Sequence, residues 1–260
     1  MRQMIKSTLF ACSVILLNMN LFSQESASDI RGFLEELQRN QQEMRLELQE
    51  IKSLLERLPL PKTPAAAPQP INIKDVEFEI GDNPVLGNGN AKVILIEFTD
   101  YQCNFCGRYV RETLPQILTE YVDKGVLRYA VIDQPLAMHQ HAGKAAQAAH
   151  CAADQGKFWE IHELMMNQQN SLSDPSFYAR SLDLNIPEFE NCLATEKYRE
   201  RVQGNIALAR SLGITGVPGF IIGLVDTQNP GGIKGISSIR GALPFSNFQK
   251  EIEAAIAANN

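Results

Sequence analysis

The stretch KVILIEFTDYQCNFC, residues 92–106, joins a short apolar run to two cysteines that are separated by two residues. A continuous apolar run of this length predicts a buried β-strand over Lys92–Thr99, and a helix is expected to follow from about Cys103. Two cysteines at this spacing can bring their sulfurs to disulfide distance across one helical turn. The stretch therefore predicts a dithiol at the point where a buried strand turns into a helix.

The two cysteines are predicted to have different chemical roles. At a helix N-terminus, unpaired backbone N–H groups and the helix dipole favour a thiolate, so Cys103 is the expected nucleophile. Cys106 lies one turn inside the helix, where we expect it to be shielded from solvent. It would then resolve a mixed disulfide by attacking the sulfur of Cys103.

A single carboxyl group, that of Glu97, interrupts the apolar strand six residues before Cys103. A buried carboxyl group has a raised pKa and can exchange protons with a thiol, so Glu97 is a candidate proton acceptor for Cys106. The alternative is a glutamate on the solvent side of an edge strand, because one strand alone does not tell which faces are buried.

The same cysteine pair could instead form a structural disulfide or half of a metal site. A structural zinc site needs further ligands, and the sequence has no second CxxC or paired Cys/His motif. His139 and His141 form an HxH pair, which is more typical of surface histidines at the start of a helix. We expect no metal and no cofactor besides the dithiol, although two thiolates could bind a soft ion such as Cu(I).

The elements around the dithiol alternate between strands and helices, which predicts an α/β fold. Val126–Ile132 is a second predicted strand, and residues 139–212 have mainly helical spacing. Phe220–Val225 and Gly235–Arg240 are predicted to form a closing hairpin, and Ser246–Ala258 a final helix.

Residues 28–58 are predicted to form a coiled-coil helix that joins copies of the chain. Their seam positions are spaced alternately by four and three residues, which keeps them on one helix face. Leucine at a positions with isoleucine at d positions leans away from dimers, so a homotrimer is favoured. The alternative is an amphipathic helix packed on its own domain. The seam positions are Ile30, Leu34, Leu37, Gln41, Met44, Leu48, Ile51, Leu55 and Leu58.

The segments on either side of this helix have distinct compositions. Residues 1–23 carry two basic residues and an apolar stretch, which is typical of a signal peptide, with cleavage expected near Ser23. The exported chain would be periplasmic or otherwise secreted. Residues 59–72 are rich in proline and alanine and predict a semi-rigid linker, so the main domain is expected at residues 73–260.

Residues 75–257 resemble the DsbA-like branch of the thioredoxin superfamily. The resemblance rests on IEFTDYQCNFC at residues 96–106, HAGKAAQAAHCAADQGKFWEIHELM at 141–165, ARSLGITGVPGFIIG at 209–223 and IRGALPFSNFQKEIEAAI at 239–256. It implies a thioredoxin-like fold with a helical insertion at about residues 139–212. It also implies a thiol–disulfide oxidoreductase with protein thiols and disulfides as substrates and a membrane redox partner.

The resemblance also implies roles for four further residues. In the family, the proline of the Val-Pro pair is cis and lies against the redox-active disulfide. Val217 and Pro218 are therefore expected in the substrate-binding surface, where an extended substrate could pair with Val217 as an added strand. Some DsbA-like proteins carry a second disulfide, which implies that Cys151 and Cys192 are paired; if free, both would be small buried residues.

Two features depart from the familiar DsbA pattern. Family members often have a histidine just before the second cysteine, whereas Asn104 and Phe105 stand here, which predicts a less strongly oxidising dithiol. The N-terminal helix resembles that of the oligomeric ScsC-type disulfide isomerases, which implies isomerase or reductase activity. The alternatives are a monomeric DsbA-like oxidase, or a non-enzymatic chaperone or copper-binding protein.

The charge distribution argues against a nucleic-acid partner. The chain has a formal net charge of -6, and no run of Lys or Arg follows its first six residues. Proteins that bind nucleic acid usually present a basic patch to the phosphates. We therefore expect no nucleic-acid partner.

Overall fold

The computed structural model describes residues 31–53, 71–226, 228–229 and 231–259. The predicted signal peptide at residues 1–23 and nearly all of the predicted linker at residues 59–72 lie outside the described residues. The described residues fall into two separate units, residues 31–53 in the first and residues 71–259 in the second.

In the first unit, residues 31–53 form helix α1, which confirms the predicted helix over this range. Its apolar seam positions are exposed in the single chain, with Leu34 at 51%, Met44 at 57% and Leu48 at 60%. The apolar side chains on this face of the helix are therefore not buried against another element in the single chain. Its self-association stays a prediction.

The second unit is built on a mixed β-sheet. Among its described residues, six strands are hydrogen-bonded in the order β1-β6-β5-β3-β4-β2. The strands are β1 Glu77–Glu79, β2 Val85–Leu86, β3 Val93–Thr99, β4 Leu127–Asp133, β5 Gly219–Val225 and β6 Gly232–Arg240. Strand β3 pairs in parallel with β4 and antiparallel with β5, so the strand that leads to the cysteines lies inside the sheet.

Helices connect and cover these strands. They are α2 Asn104–Glu112, α3 Leu114–Ile117, α4 Ala142–Ala153, α5 Phe158–Asn167, α6 Pro175–Ser181, α7 Ile186–Ala194, α8 Arg199–Ser211 and α9 Phe245–Ala258, with a π-helical turn at Leu118–Val122 and a 3₁₀ turn at Gln169–Ser171. Helices α4 to α8 lie between β4 and β5, which confirms the predicted α/β fold with its helical insertion. No helix within the described ranges is long and apolar enough to cross a membrane.

The side chains of β3 divide between two hydrophobic clusters. Successive side chains of a strand point to opposite faces, so Val93 and Leu95 enter the cluster that contains α2, whereas Ile94 and Ile96 enter the other. By the same alternation, Glu97 shares the face of Leu95. Both faces of β3 are covered, and all seven of its side chains are buried.

The two strands at the edges of the sheet carry little sequence signal of their own. Strand β1 is the tripeptide EFE and β2 the dipeptide VL, and both are too short for a period to be recognised. Strand β2 lies within the turn-rich stretch that precedes β3. Pairing with β6 and β4, and not local propensity, therefore defines these strands.

Candidate active site: the Cys103 and Cys106 dithiol

The fold places the two cysteines at the first turn of α2. Cys103 is the N-cap residue, with an extended backbone (φ −80°, ψ 116°), and its N–H donates to the carbonyl of Asp100 at 3.0 Å. Cys106 lies inside the helix and is fully buried, whereas 6% of Cys103 is exposed. Both are free thiols in the structure. The local geometry thus separates an outer sulfur from an inner one.

The surroundings of the two sulfurs shift their pKa values in opposite directions. Hydrogen bonds from the Cys106 side chain and from the N–H groups of Cys106 and Phe105 lower the pKa of the Cys103 thiol to about 6, against opposing effects of burial and of Asp100. Burial raises the pKa of the Cys106 thiol, and the hydrogen bond to Cys103 and the charge of Glu97 raise it further. At neutral pH, Cys103 is therefore a thiolate and Cys106 holds its proton.

Glu97 lies on the central strand β3 with none of its surface exposed. The alternative of a glutamate on a solvent-facing edge strand is therefore wrong. Burial raises the pKa of its carboxyl group to about 7, although a hydrogen bond from the Tyr129 hydroxyl to Oε2 acts in the opposite direction. Its other oxygen, Oε1, has no hydrogen-bond partner among the described residues. The group can therefore gain or lose a proton near neutral pH.

Val217 lies beside Cys103, and Pro218 follows it in the loop that leads into β5. The Val217 carbonyl oxygen is 3.7 Å from the Cys103 sulfur, and the Val217–Pro218 peptide bond is cis. Val217 is half-buried and Pro218 is buried. Residues 114 positions apart in the sequence thus meet at the exposed side of the dithiol.

The loop between β3 and α2 is fixed by the side chain of Asp100. Its Oδ1 accepts from the N–H of Gln102 at 2.7 Å, and its Oδ2 accepts from the N–H of Leu136 at 2.8 Å. His139 Nδ1 lies 2.7 Å from the same Oδ2, so this histidine of the HxH pair is engaged with Asp100. The described part of the chain contains no group of three or more His, Cys, Asp or Glu side chains arranged to hold a metal.

Cys151 and Cys192 lie away from the dithiol, in the helical insertion. They form a disulfide that joins α4 to α7, and the two cysteines are 41 residues apart in the sequence. Both are buried, and their side chains belong to the same hydrophobic cluster as α2. A cross-link at this place constrains the insertion and leaves the CxxC pair as the free dithiol.

Two residues of the site, Tyr129 and Asp100, could not be assigned to it from the sequence around the CxxC motif. Tyr129 lies 32 residues from Glu97 in sequence, yet it shares a sheet face with it because Tyr129 is paired with Leu95 in register. A tyrosine next to the apolar run Ala130–Ile132 is the one hint, since a buried hydroxyl needs a partner. Asp100 has no such hint, because its bonds depend on the course of the distant loop that contains Leu136.

The arrangement contains the parts needed for dithiol–disulfide exchange. It has an outer thiolate, an inner protonated thiol one turn away, and a buried carboxyl group whose pKa is near neutrality. The central strand β3 of a mixed sheet leads directly to the two cysteines, which lie at the N-terminus of helix α2. Fold and site together define a dithiol protein of the thioredoxin class.

Comparison with known proteins agrees with this class. The sequence model of the family described as "Thioredoxin" matches residues 79–239, more than half of the chain. The chain therefore belongs to the thioredoxin family, and its fold is that of the DsbA-like proteins. The crystal structure of α-DsbA1 from Wolbachia pipientis matches with a TM-score of 0.59 and 23% identity, covering 69% of this chain and 93% of that one. BdbD from Bacillus subtilis also gives 0.59, at 21% identity over 71% and 99% of the two chains.

Curated relatives share only part of their length with this chain. A Rickettsia prowazekii protein named "Putative protein-disulfide oxidoreductase" is 31% identical over 163 residues, which are 59% of each protein. Na(+)/H(+) antiporter NhaA 3 of Salinispora tropica is also 31% identical, over 157 residues. The chain spans 24% of that antiporter. The matching regions thus define the domain and its family.

The raised pKa of Glu97 predicts a pH-dependent loss of stability. The carboxyl group has a pKa of about 7 in the folded state, against an ordinary value of 4.5, so it binds its proton more tightly when the chain is folded. This proton binding contributes fully to stability below pH 4.5. That contribution is lost as the pH rises through 7, and amounts to at most about 3 kcal/mol. In a Cys103→Ser/Cys106→Ser background, where neither thiol titrates, the free energy of unfolding should therefore fall between pH 5 and pH 8.

Urea unfolding at both pH values, with and without Glu97→Gln, isolates this contribution. The difference between the two pH values should be smaller by about 2 to 3 kcal/mol in the glutamine variant. All other ionisable groups are the same in both proteins, so their contributions cancel in the comparison. An unchanged difference would mean that Glu97 ionises normally in the folded protein.

Proposed function

We propose that this chain is an exported thiol–disulfide oxidoreductase that acts on protein substrates. The observation that carries the proposal is the opposite shift of two neighbouring thiols, since the pKa of Cys103 is lowered to about 6 while that of Cys106 is raised. A structural disulfide gains nothing from this asymmetry. An exchange enzyme needs it, because one sulfur must attack as a thiolate and the other must wait.

In the proposed reaction, the Cys103 thiolate attacks one sulfur of a substrate disulfide. A Cys103–substrate disulfide forms, and the other substrate sulfur leaves as a thiolate. Cys106 then gives its proton to Glu97 and attacks the Cys103 sulfur, which releases the second substrate thiolate. The substrate disulfide is reduced by two electrons and the dithiol is oxidised to a disulfide. The reverse sequence oxidises a substrate dithiol, and attack without resolution by Cys106 allows isomerisation.

Protein substrates are supported by the surface beside the dithiol. Val217 is half-buried, and its carbonyl lies next to the Cys103 sulfur, so an extended segment that pairs with its backbone would pass beside the nucleophile. Phe105, between the cysteines, is 58% exposed and carries the Arg108 guanidinium 5.1 Å from its ring centre. An exposed aromatic ring next to the nucleophile suits apolar segments, which unfolded proteins expose.

A homo-oligomer through residues 28–58, with a trimer favoured, is supported by the exposed stripe on α1. Leu37 and Ile51 are 47% and 52% exposed in the single chain, at positions that a coiled coil would bury. Several dithiols on one assembly raise the local concentration of thiols around a misfolded substrate. We therefore propose isomerase or reductase activity.

Export is supported by the composition of residues 1–23 and by the Cys151–Cys192 disulfide, which suits an oxidising compartment. The mature chain would then work in the periplasm or outside the cell. A dithiol that turns over there needs a partner to restore its redox state. We propose that a membrane protein supplies this exchange.

A substitution in the seam of α1 should separate isomerisation from oxidation. Leu48→Glu would bury one carboxylate per chain in the proposed trimer seam, so it should dissociate the oligomer. The intact chain should unscramble a fully oxidised, misfolded multi-disulfide protein, whereas Leu48→Glu should lose most of this activity. Both should still oxidise a reduced dithiol peptide at similar rates, because the dithiol is unchanged.

Gln49→Glu is the matched control, because it adds the same charge one residue away on the outer face of the helix. It should keep both the oligomer mass by light scattering and the unscrambling activity. If the intact chain is a monomer, or if Leu48→Glu unscrambles as well as the intact chain, the oligomeric isomerase proposal is wrong. The oxidoreductase proposal would survive either outcome as long as peptide oxidation persists.

A further inference from the structure

The side chain of Gln169, in the helical insertion, hydrogen-bonds the backbone of the loop between β3 and α2, which ends at Cys103. This residue starts the 3₁₀ turn Gln169–Ser171, just after α5. Its Nε2 donates to the carbonyl of Tyr101 at 2.7 Å and to the carbonyl of Cys103 at 2.9 Å. One amide group thus ties both carbonyls, on either side of Gln102, to an element 66 residues away.

The close approach of the insertion to α2 depends on Gly107. A Cβ atom at this position would lie 2.8 Å from Gln169 Oε1 and 2.8 Å from the carbonyl oxygen of Met166. Real Cβ atoms do not approach backbone oxygen this closely, so only glycine permits the observed contact. Arg111 of α2 also donates to the Met166 carbonyl, at 2.9 Å. Gln169 is therefore held in a packed contact with α2.

The Cys103 carbonyl has a second donor, which makes its orientation matter to the thiol. The N–H of Gly107 donates to it at 3.1 Å, in the first hydrogen bond of α2. The N–H groups that follow, those of Phe105 and Cys106, lie in the first turn of α2 directly after the N-cap Cys103, where no helix carbonyl accepts from them and where they favour the Cys103 thiolate. A group that fixes the Cys103 carbonyl therefore fixes the first turn of α2 and the direction of the N–H groups that stabilise the thiolate.

We propose that Gln169 is a positioning residue that holds the Cys103 backbone in the geometry that stabilises the thiolate, and so couples the helical insertion to the redox chemistry. The proposal rests on the proposed function, in that Cys103 is taken as the nucleophile. Gln169 touches neither sulfur, so it acts through the backbone of Cys103. Its donor hydrogens also place a partial positive charge at the base of the helix turn, which favours the thiolate further.

Removing the two hydrogen bonds should make the Cys103 thiol a weaker acid. In Gln169→Met, which keeps the length of the side chain and has no donor, the pKa of Cys103 should rise by about one unit. With a pKa of about 7 in place of about 6, the exchange equilibrium at pH 7 moves about fivefold towards the disulfide, or about 20 mV for a two-electron couple.

The test measures the rate at which iodoacetamide reacts with Cys103 between about pH 4 and pH 10, on protein whose Cys103–Cys106 dithiol is reduced and whose Cys151–Cys192 disulfide is intact. The intact chain should give a midpoint near 6, and Gln169→Met a midpoint higher by about one unit. Gln169→Glu is a second variant of the same size whose carboxylate faces the two carbonyls, and its midpoint should rise further. Each profile is measured only on protein with a native near-ultraviolet circular dichroism spectrum. If one Gln169 variant does not fold, the other variant provides the test.

Gln155→Met is the matched control, because Gln155 also makes two hydrogen bonds to backbone within the insertion. Its Nε2 donates to the Asn185 carbonyl at 3.2 Å, and its Oε1 accepts from the Asn185 N–H at 2.8 Å. It should lose a similar amount of stability and keep the midpoint of the intact chain. A midpoint in both Gln169 variants equal to that of Gln155→Met would overturn the positioning role. A midpoint near 9 in the intact chain would overturn the proposed function itself.

Discussion

Replacing Cys103 by serine should abolish thiol–disulfide exchange. A serine hydroxyl is not ionised at neutral pH and cannot form a mixed disulfide, so turnover should fall on the order of 10³-fold or more, to the uncatalysed rate. The measurement is the rate at which the chain oxidises or reduces a fluorescent dithiol peptide under a glutathione buffer. The loss should be the same in the oxidising and reducing directions, because both pass through the same sulfur.

The same variant separates turnover from binding. Cys103→Ser should unfold at nearly the same urea concentration as the intact reduced chain, and it should still bind an unfolded peptide at the Val217 surface. If the variant keeps more than about a tenth of the intact rate, well above what the loss of a nucleophile permits, Cys103 is not the nucleophile. If binding to client proteins persists with no turnover in the intact chain, the non-enzymatic alternative gains support.

Removing the disulfide of the helical insertion should be the largest single change in stability. In the Cys151→Ala/Cys192→Ala variant, the unfolded chain regains the entropy of a loop of 41 residues. The loop-entropy relation puts this loss at about 4 kcal/mol. Urea unfolding should report the change as a lower midpoint, and the slope should also change because the cross-linked unfolded state is more compact.

Activity provides the internal control for this variant. The dithiol lies on α2, and the Cys151–Cys192 bond lies between α4 and α7, so exchange per folded molecule should change little at temperatures well below unfolding. A stability loss below about 1 kcal/mol would contradict the loop-entropy expectation. It would mean that the two thiols are free in solution, a result that mass spectrometry of the alkylated protein would also give.

The centre of the fold could be predicted because its signal is local. The apolar run that forms β3 is continuous, and the cysteines follow it directly, so the strand, the helix start and the outer and inner thiols are all encoded in residues 92–106. The final helix and the hairpin strands β5 and β6 have similarly complete patterns. Strand β6 begins three residues earlier than predicted, at Gly232, because pairing with β5 and β1 extends beyond its apolar part.

The parts that could not be predicted depend on contacts between distant segments. Tyr129 reaches Glu97 only because β3 and β4 pair in one register, and a shift of one residue would turn its ring to the other face. Gln169 reaches the carbonyl of Cys103 only because Gly107 lets the insertion approach α2. Nothing in the sequence near either residue specifies its partner.

Glu97 is an intermediate case. Its place in an apolar strand suggested burial, but burial on one strand depends on whether that strand is central or at an edge. The sheet order decides this, with β5 and β4 on either side of β3. The raised pKa then follows from desolvation, which requires the packing of α2 over the same face.

The sulfur that attacks a substrate can be identified by trapping it. The reduced Cys106→Ser variant is mixed with a peptide that contains one disulfide, quenched in acid, digested without reductant and mapped by mass spectrometry. We expect a stable mixed disulfide on Cys103, because no inner thiol remains to resolve it. Absence of the adduct, or its appearance only on Cys151 or Cys192, would contradict the assignment of Cys103 as the nucleophile.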